Sequence, residues 1–329
     1  MRINYKLEIK QKTKEKNKMK KGLKLKLGMS VASLALLAGA LSTTTYAWFT
    51  TNAEAKVSNV TVNAEATSDS IYLSLDGIHF SNSITLDASK VQLTSVSYVD
   101  GAYKKYNGKD SETATENWDA TTAGTVTPDA TGVKGTATDK GQYLTFTIYF
   151  KTTSNGSNIV FDDESTSFTN STPNEFTLLA DYDKTLAGSK YANGYLVNAT
   201  RLAVTSYASG FEGAQITKDA TFGDATRTVY KTVDAAATTY DKDSGIIQTD
   251  AKNYAWQYYQ AVMGNRTNVA PTAETAEAIS STTVVATGAK SGSIYKADFT
   301  FYVEGWDADC MDAILGQNID MALGFKLSK

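Results

Sequence analysis

Apolar and polar residues alternate with a period of two through much of this chain. In residues 143–150, Leu144, Phe146, Ile148 and Phe150 fall on one face, and Tyr143, Thr145, Thr147 and Tyr149 on the other. Residues 295–303 repeat the pattern, with Tyr295, Ala297, Phe299, Phe301 and Val303 against Lys296, Asp298, Thr300 and Tyr302. The chain closes on Ile319, Met321, Leu323, Phe325 and Leu327 in strict alternation. A side-chain period of two is the mark of a strand with one face buried. Shorter segments read the same way at 56–62, 71–75, 84–86, 91–99, 176–179, 194–207 and 226–233. The spacing of Leu196, Ala199, Leu202 and Val204 is less regular, which points to a bulge. Asp76-Gly77 supplies a turn, and Ile78-His79-Phe80 would resume as the second arm of a hairpin.

Helical periodicity is rarer. Residues 253–264 (NYAWQYYQAVMG) carry Asn253 as a cap, an apolar stripe at 254, 258, 261 and 262, and Gly264-Asn265 at the exit. A short helix over 307–315 is predicted from the Asp307 cap, an acidic first turn and Gly316 beyond its end. A helical turn is expected at 273–279. Residues 107–141 are rich in Thr, Gly, Asp and Ala, with Trp118 the one large apolar residue near the middle, and read as a long surface insertion. The expected fold class is therefore all-β: an antiparallel jelly-roll-like β-sandwich with long loop insertions and one or two short helices, preceded by a helical signal segment.

Charge separates the ends of the chain. Of 32 basic and 35 acidic residues, eleven and two fall in residues 1–27, and residues 28–47 carry no charge. The remainder keeps 21 basic and 33 acidic groups, a net charge of about −12. Such a body argues against nucleic-acid binding, which needs a positive surface to displace counterions. The 14-residue uncharged run 28–41 has the length of a signal-peptide apolar region, and its basic flank fits the positive-inside pattern. Met19-Lys20-Lys21 is an alternative start. Cleavage is expected after Ala47, with Thr45 and Ala47 as the small residues at −3 and −1; retention as an anchor is the alternative. Residues 1–47 are thus a signal peptide with a long basic leader, and residues 48–329 a secreted β-sandwich domain. Membrane contact is expected only through the signal segment.

The junction Thr45-Tyr46-Ala47-Trp48-Phe49-Thr50 resembles that of the TasA/camelysin family of secreted Gram-positive proteins, which typically reads G-T-[WY]-A-x-F-[ST]-[DN]. Thr45, Tyr46, Ala47 and Phe49 match and Thr50 fills the Ser/Thr place, whereas Thr51-Asn52 replaces the usual acidic residue. The match covers some 20–30 residues. It implies cleavage by an ER-type signal peptidase, a jelly-roll fold and assembly into surface or biofilm-matrix fibres. In that mechanism the new N-terminus adds as a strand to a neighbouring sandwich, with Trp48, Phe49, Val57, Val60 and Val62 filling apolar pockets on the acceptor.

Catalytic constellations are missing. Camelysins are described as metallopeptidases, but the chain has one histidine, His79, and no His-Glu-x-x-His, so a two-histidine zinc site cannot be built. His79 reads as an ordinary strand residue. The single cysteine, Cys310, excludes an intramolecular disulfide and has no base but His79. The acids of 241–245 and Asp162-Asp163-Glu164 cluster oxygen ligands without EF-hand spacing. Asp307 is best explained as a helix cap. No enzyme activity, cofactor or metal is expected. Tyr254, Trp256 and Tyr258 could stack on a sugar ring, which supports an alternative: a monomeric surface adhesin or carbohydrate-binding module, whose strand at 48–62 pairs within its own sheet.

Overall fold

The computed structural model describes residues 55–65, 70–106, 118–170, 174–177, 186–232, 276–305, 307, 310, 314 and 316–328. All belong to one compact unit, Trp48–Lys329. The protein is mostly β. In chain order the strands are β1 (Ala55–Ala64), β2 (Ile71–Ser74), β3 (Ser83–Asp87), β4 (Gln92–Leu93), β5 (Ser95–Val99), β6 (Ala102–Tyr106), β7 (Trp118–Ala120), β8 (Ala123–Pro128), β9 (Lys134–Ala137) and β10 (Tyr143–Thr152). They continue with β11 (Ser157–Phe161), β12 (Ser167–Asn170), β13 (Asn174–Thr177), β14 (Lys190–Gly194), β15 (Thr200–Tyr207), β16 (Ala225–Lys231), β17 (Glu277–Ala278), β18 (Val284–Ala289), β19 (Ile294–Glu304) and β20 (Asn318–Ser328). One helical turn, α1 (Leu196–Ala199), precedes β15.

Pairing sorts the strands into two principal sheets. In the first, β18 lies beside β11; β11 and β12 share one side of β20; β1 follows; then come β3 and β4, with β9 and β8 beyond. In the second, the order is β17, β16, β15, β19, β10, with β2 and β8 sharing the far side of β10. Strand β8 joins both: Ala123–Thr125 pair with β10, and Val126–Pro128 with β9. Gly124 and Gly141 permit this crossing, because a Cβ on Gly141 would come within 1.7 Å of the Gly124 nitrogen.

The sheets pack face to face on an aromatic core. Phe325 of β20 meets Phe150 of β10 at 4.8 Å between ring centroids, and Phe168 of β12 stacks on Phe301 of β19 at 6.0 Å. Phe161 reaches across to Tyr230 at 5.9 Å. Leu144, Phe146, Ile148 and Phe150 all point into this core, as their alternation predicts. Burial of side chains this size is worth about 1.5–3 kcal/mol each, so the alternating strands supply most of the driving force.

Several expectations change. The sheets are mixed rather than wholly antiparallel: β1–β20, β3–β9, β8–β10, β5–β19 and β16–β17 are parallel pairs. Parallel neighbours need long crossovers, and residues far apart in sequence provide them. The stretch 118–137 is not an insertion but three strands, β7 to β9, in which Thr and Gly meet the needs of short, half-exposed edges. Residues 75–80 turn the chain back as expected, but 78–80 do not resume as a strand. The second arm is reduced to Ser81, which exchanges both main-chain hydrogen bonds with Leu73 at 2.6 and 2.9 Å, while β2 also pairs with β10. The irregular start of 194–207 is the helical turn α1, not a bulge. Residues 277–278 are extended, not helical. Strand β18 was not foreseen, since Val284-Val285-Ala286 is followed by Thr-Gly and breaks the alternation.

Candidate functional site

The first described strand occupies the middle of the first sheet. Strand β1 is hydrogen-bonded to β20 on one side and to β3 and β4 on the other. Val57, Val60 and Val62 are fully buried in the common core. Their spacing is uneven, three residues and then two, and a register shift between Val57 and Asn59 reconciles it. Val57 pairs with Ile319 and Asn59 with Asp320, so Ser58 is the extra residue that restores the inward phase for Val60. Lys56, Thr61 and Asn63 face outward.

The other N-terminal residues expected to act, Thr45, Tyr46, Ala47, Trp48 and Phe49, lie outside the described residues, as do Tyr254, Trp256 and Tyr258 and the acids of 241–245. Among the described residues no helix is long and apolar enough to cross a membrane, and no group of three or more potential ligands could hold a metal ion.

His79 sits in a turn, half-exposed, rather than in a strand. Its Nδ1 is 2.7 Å from Asp76 Oδ2, and Asp76 Oδ1 also accepts the backbone N–H groups of Ile78 and His79. The Ser74 hydroxyl donates to Asp76 at 2.8 Å. Partial burial alone would raise the Asp76 pKa. The His79 backbone and imidazole, the Ile78 N–H and Ser74 outweigh it and bring the carboxyl down to about 2. The serine is bonded to the carboxylate and not to the imidazole, so the trio orders a turn and does not form a nucleophile–base pair. Gly132, with φ of +66°, packs its open Cα face against the same carboxylate.

Asp162 and Asp163 are bridged by an ammonium. Lys326 Nζ is 2.9 Å from Asp162 and 3.5 Å from Asp163, and Ser165 donates a further hydrogen bond to Asp162. The cation of this site is therefore supplied by the protein. Asp307 has a larger task than capping. It is wholly buried and paired with Arg201 of β15, itself 1% exposed. Arg201 also donates to the carbonyl of Thr200 at 2.8 Å. Burial would discharge the guanidinium, but Asp307 and Glu304 outweigh it and hold its pKa above the ordinary value. Nearby, Ser97 donates to the buried Glu304. Cys310 lies within the main core cluster.

One feature has no counterpart in the sequence-based expectations. The hairpin strands β5, β6 and β7 fold over the outer face of the second sheet and gather Tyr98, Tyr103, Trp118 and Tyr143 around a cleft of about 480 Å³. The available signals were the tyrosines on the polar side of the alternating strands and Trp118, standing alone in a Thr- and Gly-rich stretch.

No family model, characterised protein or solved structure matches this chain. Function rests on the geometry just described and on the N-terminal motif.

Proposed function

We propose that the protein is a non-enzymatic structural protein of a Gram-positive cell surface or biofilm matrix, which assembles into fibres by N-terminal strand addition. A signal peptidase would cut between Ala47 and Trp48 and release the domain outside the cell. The domain would be a jelly-roll-like sandwich in which parallel pairs have been added to the antiparallel frame.

The observation that supports this reading is the seat of β1. It is the first strand described, yet it fills an interior slot between β20 and β3 and buries three valines. A strand at the chain's leading end can be supplied by a second copy with the same main-chain bonds and the same pockets, because β-augmentation takes its affinity from the backbone and its register from alternate side chains. Domain exchange of this kind adds no new interface chemistry. Membrane retention before cleavage would keep such a strand from a neighbour.

The outward-facing pair Thr61 and Ala322 tests the reading, since the two are direct partners across β1 and β20. Cysteines at both positions, with Cys310→Ala, should form a disulfide without disturbing the core. In protein beginning at Trp48, electron microscopy should show fibres, and non-reducing gels should show chains linked to one another. Persistent monomers across pH and salt, or cross-links closed entirely within single chains, would sink the fibre reading.

A monomeric surface adhesin is the second reading. The intramolecular pairing of β1 favours it, and within-chain cross-links would be its signature.

A further inference from the structure

We propose that the outer face of the second sheet carries a carbohydrate site: the cleft beneath the β5–β6–β7 hairpin takes the pyranose ring of a neutral, β-linked oligosaccharide with equatorial hydroxyls. The proposal is independent of whether the protein polymerises, because β1 and its partners belong to the first sheet.

The composition of the cleft selects the ligand class. Its volume of about 480 Å³ lies in the range of small-ligand sites. The lining is aromatic and hydroxylated, with no large aliphatic side chain: Tyr98, Tyr103, Tyr143 and Trp118 provide rings, and Thr121 and Lys104 add a hydroxyl and an ammonium. A lipid or an amphipathic peptide helix would call for Leu, Ile or Met walls, which this cleft lacks. A pyranose with equatorial hydroxyls presents a flat patch of C–H bonds above and below a belt of hydroxyls. Aromatic faces match the patch, and phenolic, hydroxyl and ammonium groups match the belt. Burial pushes the Tyr143 phenol up from its ordinary value, so it remains a neutral hydroxyl able to donate.

Charge narrows the class further. Lys104 is already compensated by Asp100 at 3.4 Å, and the body of the protein carries a net charge of about −12. Phosphate-rich ligands and nucleic acids are therefore disfavoured, and a neutral sugar is not.

The rings are also held in advance of any ligand. Tyr103 lies 4.6 Å from Tyr143 and 4.9 Å from the fully buried Tyr302 of β19. Arg227 of β16 stacks 4.0 Å over Tyr98 and donates to the Tyr103 hydroxyl at 2.7 Å, tying the hairpin to the sheet. Thr121 donates to the Tyr103 carbonyl at 2.5 Å. Side chains fixed in this way lose little rotational freedom on binding, which is the cost that weakens flexible sites.

The test uses the complete secreted domain, residues 48–329, with cellotetraose and chitotetraose as probes and calorimetry together with saturation-transfer NMR as readouts. At least one probe should bind, with transfer concentrated on the ring C–H protons. Trp118→Ala should weaken that binding about tenfold or more, the scale of one lost stacking partner. Trp256→Ala should leave it unchanged. Should Trp118→Ala lower the melting temperature, two milder variants are read instead: Trp118→Leu, which keeps an apolar side chain but no ring, and Tyr143→Phe, which keeps the ring but not the hydroxyl; both should weaken binding severalfold. The proposal is overturned if neither probe binds, if these cleft variants bind as tightly as the parent, or if only Trp256→Ala abolishes binding. Fibre formation, scored separately by microscopy, should be the same in parent and Trp118→Ala protein.

Discussion

The two faces of the second sheet are built by different means. On its inner face, β10, β15 and β19 present Phe146, Phe150, Leu202, Phe299 and Phe301, all buried against the first sheet and requiring nothing but close packing. On the outer face the same strands present Tyr143, Arg201, Tyr302 and Glu304, and much of this layer is buried too. Val96, Ala203, Val229 and Tyr302 form a separate small cluster there, closed by Tyr103 and Tyr143. The inner face tolerates any shape-matched apolar partner, whereas the outer face needs specific partners for each buried polar group. One layer holds the fold together. The other fixes a particular arrangement of rings, ions and hydroxyls, which is what a recognition surface requires.

Mutations can break this contrast. The largest effects are expected for a single deletion in each layer, with different routes to recovery. Phe325→Ala removes a ring that meets Phe150, Phe161 and Phe299, and should cost about 3–5 kcal/mol in denaturant unfolding. Only a residue of similar volume should restore it. Asp307→Ala should cost a similar amount, about 3–5 kcal/mol, because it takes the directly paired carboxylate away from a buried guanidinium and leaves only Glu304 to compensate it. Here recovery should come from neutralising the whole buried cluster: Arg201→Met and Asp307→Leu combined with Glu304→Gln, so that no second buried carboxylate is left without its cation, should regain most of the loss. If this combined variant is no more stable than Asp307→Ala, the cluster matters for more than its charge and the contrast between the layers fails.

The smallest effect sharpens the comparison from outside both layers. Asp76 orders an exposed turn, and its carboxyl is held at about 2, below the ordinary value of 3.8. A lowered carboxylate contributes stability that is fully present above the unfolded value and is lost as pH falls through the folded one. Parent and Asp76→Asn protein should therefore differ by roughly 1 kcal/mol at neutral pH, allowing for solvent screening, and their stabilities should converge between about pH 4 and pH 2. A difference that persists unchanged at pH 2 would mean that the amide fails for reasons of shape rather than charge.

Much of the inner face was legible in the amino-acid order. The alternation in 143–150, 295–303 and 319–327 placed Phe146, Phe299 and Phe325 inside without knowledge of any partner strand. The outer layer was not legible, because its tyrosines sit on the polar side of that same alternation and look solvent-facing until a hairpin covers them. Trp118 stood out in a Thr- and Gly-rich stretch as a lone apolar residue, and the pairing of Tyr106 with Trp118 explains why it is there. The candidate ligand-stacking residues of 254–258 and the cleavage junction at 45–48 lie beyond the described structure, and rest on local motif alone.

Taken alone, the sequence determined which side of most strands is apolar, the charge division near residue 27 and the unlikeness of the chain to any two-histidine zinc enzyme. These are local properties: period, charge and residue supply can be read within a few positions. Only the tertiary structure decided that β1 lies parallel to β20, that Arg201 meets Asp307 across 106 positions, and that β8 joins two sheets. Such pairings depend on which distant segments close together at tolerable entropic cost, and no local pattern encodes that choice. The bulge at Ser58 shows both at work: uneven valine spacing is written in the chain, but the register that makes it inward-facing exists only beside β20.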